Sequence, residues 1–148
     1  MTPEQKDLLL KDLCARLSYD IKFPITWPDP ITSEPIETTG TISDINRYGI
    51  VSFVWDYEGQ EILQKNDLHI KDVKPYLFPM SSMTEEQKVE LNNIFDLDVE
   101  VAITHIKNGT PNLFTGLNRL NWFIKNHFDI YDLIPMGLAI DATGLGIY

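Results

Sequence analysis

Between Val51 and Tyr57 every second residue is large and apolar: Val51, Phe53, Trp55 and Tyr57 alternate with Ser52, Val54 and Asp56. A period of two places the four side chains on one face of an extended chain, which excludes a helix there. Turn chemistry brackets the run, with Asn46-Arg47-Tyr48-Gly49 before it and Asp56-Tyr57-Glu58-Gly59 at its end. Each glycine tolerates the positive φ of a tight hairpin. The pattern predicts strands at 39–45, 49–57 and 59–65, preceded by 20–26 on Ile21, Phe23 and Ile25 and followed by 72–78. Five short strands are too few for a sandwich. They predict a small SH3-like barrel or meander, in which closure would hide the edges. Pro24, Pro28, Pro30 and Pro35 each remove a backbone donor and fix φ, so that stretch reads as an extended loop or a sheet edge.

On either side of this region the apolar period becomes helical. Thr2-Pro3-Glu4-Gln5 and Thr84-Glu85-Glu86-Gln87 have the same starting chemistry: a threonine N-cap answered three residues later by a glutamine. Pro3 suits the first helical position. Leu9, Leu10, Leu13, Cys14 and Leu17 then recur at three- and four-residue spacing, which predicts one buried helix face with Cys14 in the core. From Thr84 a helix is expected to about Phe95. The stretch 96–104 fits either a strand, on Leu97, Val99, Val101 and Ile103, or a continued helix; strand is the preferred reading. Asn108-Gly109-Thr110-Pro111 breaks the chain, and Leu113, Leu117, Leu120 and Ile124 predict a helix ending near His127. Asp129 can cap a short helix that stops at Gly137, and the apolar tail 138–148 is expected to dock on the body. The fold expected is α+β in one domain, 1–148: an N-terminal helix over 1–18, a five-stranded β unit over 19–80 and a helical or mixed part over 84–148.

A chain of 148 residues can bury a substantial core without covalent staples. Its one cysteine cannot form an internal disulfide, and no basic leader or long apolar run is present, so a reducing cytoplasm and no membrane partner are expected. The net charge of −10 opposes binding to phosphate backbones or anionic lipid. Residues 41–63 carry Asp44, Asp56, Glu58 and Glu61 against Arg47 alone, and Phe53, Trp55 and Tyr57 there share the parity of Val51. For these three, though not Tyr48, that favours a core over a stacking platform, and no nucleic-acid partner is expected.

No reaction is written in the motifs. Phosphate loops, nucleophile elbows, paired cysteines and zinc-type histidine spacings are all missing, and no cofactor is expected. His127 and Asp129 could serve a small metal-assisted hydrolase together with carboxylates brought in by folding. The structural alternative is an imidazole placed favourably on a helix C-terminal dipole, beside a capping aspartate. His69 and His105 have no ligand at metal spacing. If 96–101 is extended, Asp96, Asp98 and Glu100 project from one face about 7 Å apart. Such a row could bind a hard cation, mimic a nucleic-acid backbone to occupy a basic protein, or merely be solvated. Trp27, with Asp29 beside it in the proline loop, is the candidate aromatic anchor, because a rigid loop presents an aromatic at low entropic cost.

Lys74 to Lys88, Met1 to Leu17, Trp122 to Asp129 and Leu133 to Asp141 resemble segments of small uncharacterised proteins from Bacteroides-type gut bacteria and their phages. The resemblance implies a phage or mobile-element setting, and no catalytic residue carries over from it. The expected function is therefore that of a non-catalytic accessory protein that binds another protein, basic in character, through Trp27, Asp29, Asp96, Asp98 and Glu100. The hydrolase and the acidic nucleic-acid mimic are the alternatives.

Overall fold

The computed structural model describes residues 1–29, 31–94 and 115–148. It is an α+β fold. The helix α1 (Pro3–Arg16) opens with the predicted capping box, in which Thr2 and Gln5 exchange backbone-to-side-chain hydrogen bonds of 2.8 and 3.2 Å. Four strands follow: β1 (Lys22–Pro28), β2 (Pro35–Ile45), β3 (Ile50–Tyr57) and β4 (Gln60–His69). They form an antiparallel meander in the order β1-β2-β3-β4. The fifth expected strand shrinks to β5 (Tyr76–Leu77), which pairs in parallel with β6 (Ile140–Asp141) in a separate ribbon. No β1–β4 pairing closes the sheet among the described residues, so it is an open meander there.

The alternation read from the sequence sets the faces. Phe23, Ile25, Ile42, Val51, Phe53 and Trp55 are all buried on the concave side, packed with Leu9 and Leu13 of α1 and with Leu133 and Leu138. The sheet is strongly coiled. Phe53 pairs with Ile42, whose N–H reaches the Ile21 carbonyl, yet the Trp27 ring, six residues farther along β1, lies 5.5 Å from the Phe53 ring. At about 3.3 Å per residue a flat strand would hold these rings some 20 Å apart. Gly40 permits the coil, since a Cβ there would lie 3.0 Å from Phe23 Cε1 and 3.3 Å from Ile25 Cγ2.

The prolines of β1 sit where an edge strand can accept them. Because the Ile21 carbonyl faces β2, the odd residues of β1 bond to β2 and the even ones, Lys22, Pro24, Thr26 and Pro28, face outward. Two of those four have no N–H to leave unpaired. A third, Lys22, gives its N–H to the Tyr148 hydroxyl at 3.1 Å.

A second apolar cluster joins α2 (Glu85–Ile94), whose cap is again Thr84 with Gln87, to α3 (Thr115–Lys125) through Met83, Leu91, Phe123, Phe128 and Ile130. Two expectations are corrected here. Cys14 is exposed, not core, because the buried stripe of α1 is Leu9, Asp12, Leu13 and Arg16, and each residue is turned about 100° from the last. Residues 129–137 form turns and no helix. The Asp129 carboxylate still caps, but it accepts from the N–H groups of Leu133 at 2.8 Å and Ile134 at 2.9 Å. The 138–148 tail docks as expected through Leu138, Ala139 and Ala142, with Ile140 and Ala142 bonded to the carbonyls of Pro75 and Leu77.

Candidate interaction surface and the buried polar centre

Two hairpin ends meet at one pole of the sheet. The β1–β2 loop is organised by Asp29, whose backbone N–H bonds to Glu34 O at 2.7 Å and whose carbonyl accepts from Ser33 at 2.9 Å. Its Oδ1 takes the N–H groups of Ile31 and Thr32 at 2.7 and 2.8 Å. The Tyr57 hydroxyl, from the end of β3, donates to the same carboxylate at 3.2 Å. These donors, the Thr32 and Ile31 amides first, hold the Asp29 carboxyl below its usual pKa. Aspartate at this position is therefore an internal brace whose acceptors are turned to the loop itself. It welds the tip of β1–β2 to that of β3–β4, where Glu58 and Gly59 make a two-residue turn with φ of 52° and 80°.

On this brace stands an apolar crest. Ile31 is 76% exposed at the loop tip, and Trp27, Ile36, Tyr57 and Ile62 lie half-buried behind it. Trp27 is neither free nor sequestered, since its ring edge packs against Phe53 while the rest borders solvent. Around the crest, residues 27–37 and 55–62 contain Asp29, Glu34, Glu37, Asp56, Glu58 and Glu61 and no lysine or arginine. The five apart from Asp29 are exposed. A shallow cleft of about 500 Å³ beside it, bordered by Pro24, Thr26, Glu37, Thr39 and Tyr76, offers one carboxylate and no base to pair with it. Asp96, Asp98 and Glu100 lie outside the described residues.

The polar centre of the molecule is elsewhere and was not singled out from the sequence. Arg16 is 0% exposed and Asp12 1%. The guanidinium grips the carboxylate through Nε–Oδ2 and Nη2–Oδ1 bonds of 2.8 Å each. Its other donors reach the carbonyls of Ile124 at 3.2 Å and Phe128 at 2.7 Å, so a cation from α1 caps the C-terminus of α3. Burial pushes the Asp12 carboxyl up against the opposing pull of Arg16. The available signal was spacing: Asp12 and Arg16 stand at i+3 and i+7 from Leu9, on the apolar stripe itself.

His127 closes the same helix end in the left-handed region at φ 57°, with its N–H on Ile124 O and that of Phe128 on Phe123 O. Its ring stacks on Tyr148 at 3.8 Å, and its buried Nδ1 finds no partner among the described residues. Burial, then Arg16 and Lys22, lower its pKa to about 4. The imidazole is thus neutral near pH 7, and the expected imidazolium–dipole contact does not form; Arg16 supplies that cation instead. Asp129 has both oxygens on the Leu133 and Ile134 amides, so structure brings these two residues near in sequence but gives them no shared hydrogen bond. Among the described residues no three His, Cys, Asp or Glu side chains gather as a metal site. No helix among them is long and apolar enough to cross a membrane. No family model, curated protein or solved structure matches this chain.

Proposed function

We propose that this chain is a non-catalytic protein-binding module whose welded hairpin pole takes a basic surface of another protein. The observation that carries the reading is the exposure of Ile31, at 76%, on a loop whose Asp29 carboxylate accepts from the Ile31 and Thr32 amides and from Tyr57. An exposed aliphatic on a prebuilt loop costs little ordering entropy on association, and the half-buried Trp27 and Tyr57 behind it supply contact area. The carboxylate rim speeds encounter with a cationic surface and disfavours acidic ones, nucleic acid included. The phage or mobile-element setting rests on the resemblance of those four segments alone.

Capture from a lysate of the native host tests the reading. The immobilised chain is expected to retain a basic protein that salt elutes. Ile31→Ser is expected to lose it with an unchanged melting temperature, because an exposed side chain contributes little to folding. Retention of the same protein by Ile31→Ser and by the Glu34→Gln, Glu58→Gln, Glu61→Gln triple variant refutes it.

A further inference from the structure

The two edges of the sheet are built differently. Along β1, prolines at 24 and 28 and the Tyr148 hydroxyl on Lys22 N–H leave Thr26 as the one outward N–H without such a device. Along β4 no proline or side-chain cap of this kind appears from Gln60 to Gln64 among the described residues; the ladder then breaks at a bulge, where Phe53 pairs with Gln64 but Val51 with Leu68, so the open edge is the stretch next to the turn. The tight Glu58-Gly59 turn makes Tyr57 and Gln60 a hydrogen-bonded pair, so Trp55–Ile62 and Phe53–Gln64 are bonded pairs as well. Glu61 and Leu63 then direct their N–H and carbonyl groups away from β3. Neither residue makes another backbone hydrogen bond among those described. Gln60–His69 contains no proline.

An open edge of this kind is a template for one more strand. Its side chains say which kind. Leu63, 49% exposed, pairs with Val54 on the convex face, and half-buried Ile62 pairs with Trp55 on the concave face, so both faces of β4 present apolar surface at the rim. Asp56, Glu58 and Glu61 surround them with no cation between 55 and 62. Apolar side chains alternating with cationic ones would match this edge on both counts.

We propose that the partner docks by adding an extended, lysine- or arginine-bearing segment to β4, bonding to the backbone of Glu61 and Leu63. The proposal rests on the reading of the hairpin pole as a site for a basic protein and specifies how that protein is held.

The probe is a capped octapeptide of alternating lysine and valine. In the free chain the Glu61 and Leu63 amides are expected to exchange rapidly with solvent, and saturating peptide to protect both. The glutamate–valine analogue, and a lysine–valine peptide of alternating handedness, are expected not to bind. Leu63→Pro removes an outward donor and no β3–β4 bond, and is expected to weaken binding about tenfold. Backbone N-methylation of alternate peptide residues makes the equivalent deletion with the protein unaltered, should that variant fold poorly. Amides already protected in the dilute free chain, concentration-dependent protection from self-pairing of two copies, no binding of the lysine peptide, or equal binding by wild type and Leu63→Pro would each overturn the edge proposal. The parent reading is separated by the lysate capture: a partner lost with Ile31→Ser but kept by Leu63→Pro sinks the added strand and leaves the hairpin pole standing.

Discussion

Replacing Arg16 with methionine should be among the most damaging single changes in the chain. Methionine keeps much of the side chain's length and apolar packing, so the loss isolates the guanidinium. Four hydrogen bonds disappear together: two to Asp12, one to Ile124 O and one to Phe128 O. Ile124 O still accepts from His127 N–H, but Asp12, 1% exposed, is left as a buried carboxylate with no counterion. Removing one partner of a buried pair costs about 3–5 kcal/mol, so about 4 kcal/mol is expected from Arg16→Met. In a chain of this size that corresponds to a fall in melting temperature of roughly 8–16 °C. Asp12→Leu strands the cation instead, but Arg16 keeps both carbonyls, and about 3 kcal/mol is expected. The double variant buries no charge and should cost less than Arg16→Met alone, well below the sum of the singles. Urea unfolding followed by tryptophan fluorescence at neutral pH measures all three, with the slope in denaturant expected to stay constant. A single-variant loss below about 1 kcal/mol, or strict additivity in the double, would refute the assignment of Arg16 and Asp12 as one ionic lock between α1 and α3.

The His127 pKa of about 4 lies below the unfolded value of 6.5, so unfolded chains take up the proton first as pH falls. Stability is fully present above about pH 6.5 and drops by about 3 kcal/mol by pH 4; His127→Phe should flatten that slope in denaturant titrations across the same range. Gly40→Ala forces a methyl to within 3.0 Å of Phe23 Cε1, on a fully buried ring, and should cost about 1–3 kcal/mol in thermal unfolding, whereas a coil able to relax would lose almost nothing.

Local chemistry made most elements legible. Threonine–glutamine capping boxes marked both predicted helix starts because the signal lies within four residues, and the Val51–Tyr57 alternation identified β3 and its inward face because the period is the cause of the burial. Sheet closure was not legible in the same way. Whether a meander becomes a barrel depends on where its first and last strands end up, and on this chain the prolines, which fitted either a loop or a sheet edge, let β1 finish as an edge. Cys14 was misplaced because apolarity alone weights a stripe. A cysteine outranks an aspartate and an arginine on any hydropathy scale, yet Asp12 and Arg16 are on the buried stripe and Cys14 is not.

That inversion explains why the buried polar centre was not visible. A polar residue within an apolar period can be a mismatch, a surface position or half of a satisfied pair, and the partner that decides among these lies more than a hundred residues away, on the carbonyls of Ile124 and Phe128. Asp29 shows the complementary case. Beside Trp27 it reads as a charge offered to a partner, but its acceptors are taken by Ile31, Thr32 and Tyr57. What the loop offers outward is an aliphatic side chain, and the charge stays behind to hold it there. Ile31, unremarkable in sequence between Pro30 and Thr32, becomes the residue to test because a carboxylate two positions earlier fixes the loop, and exposed apolar surface on a fixed loop has less conformational entropy left to lose on contact.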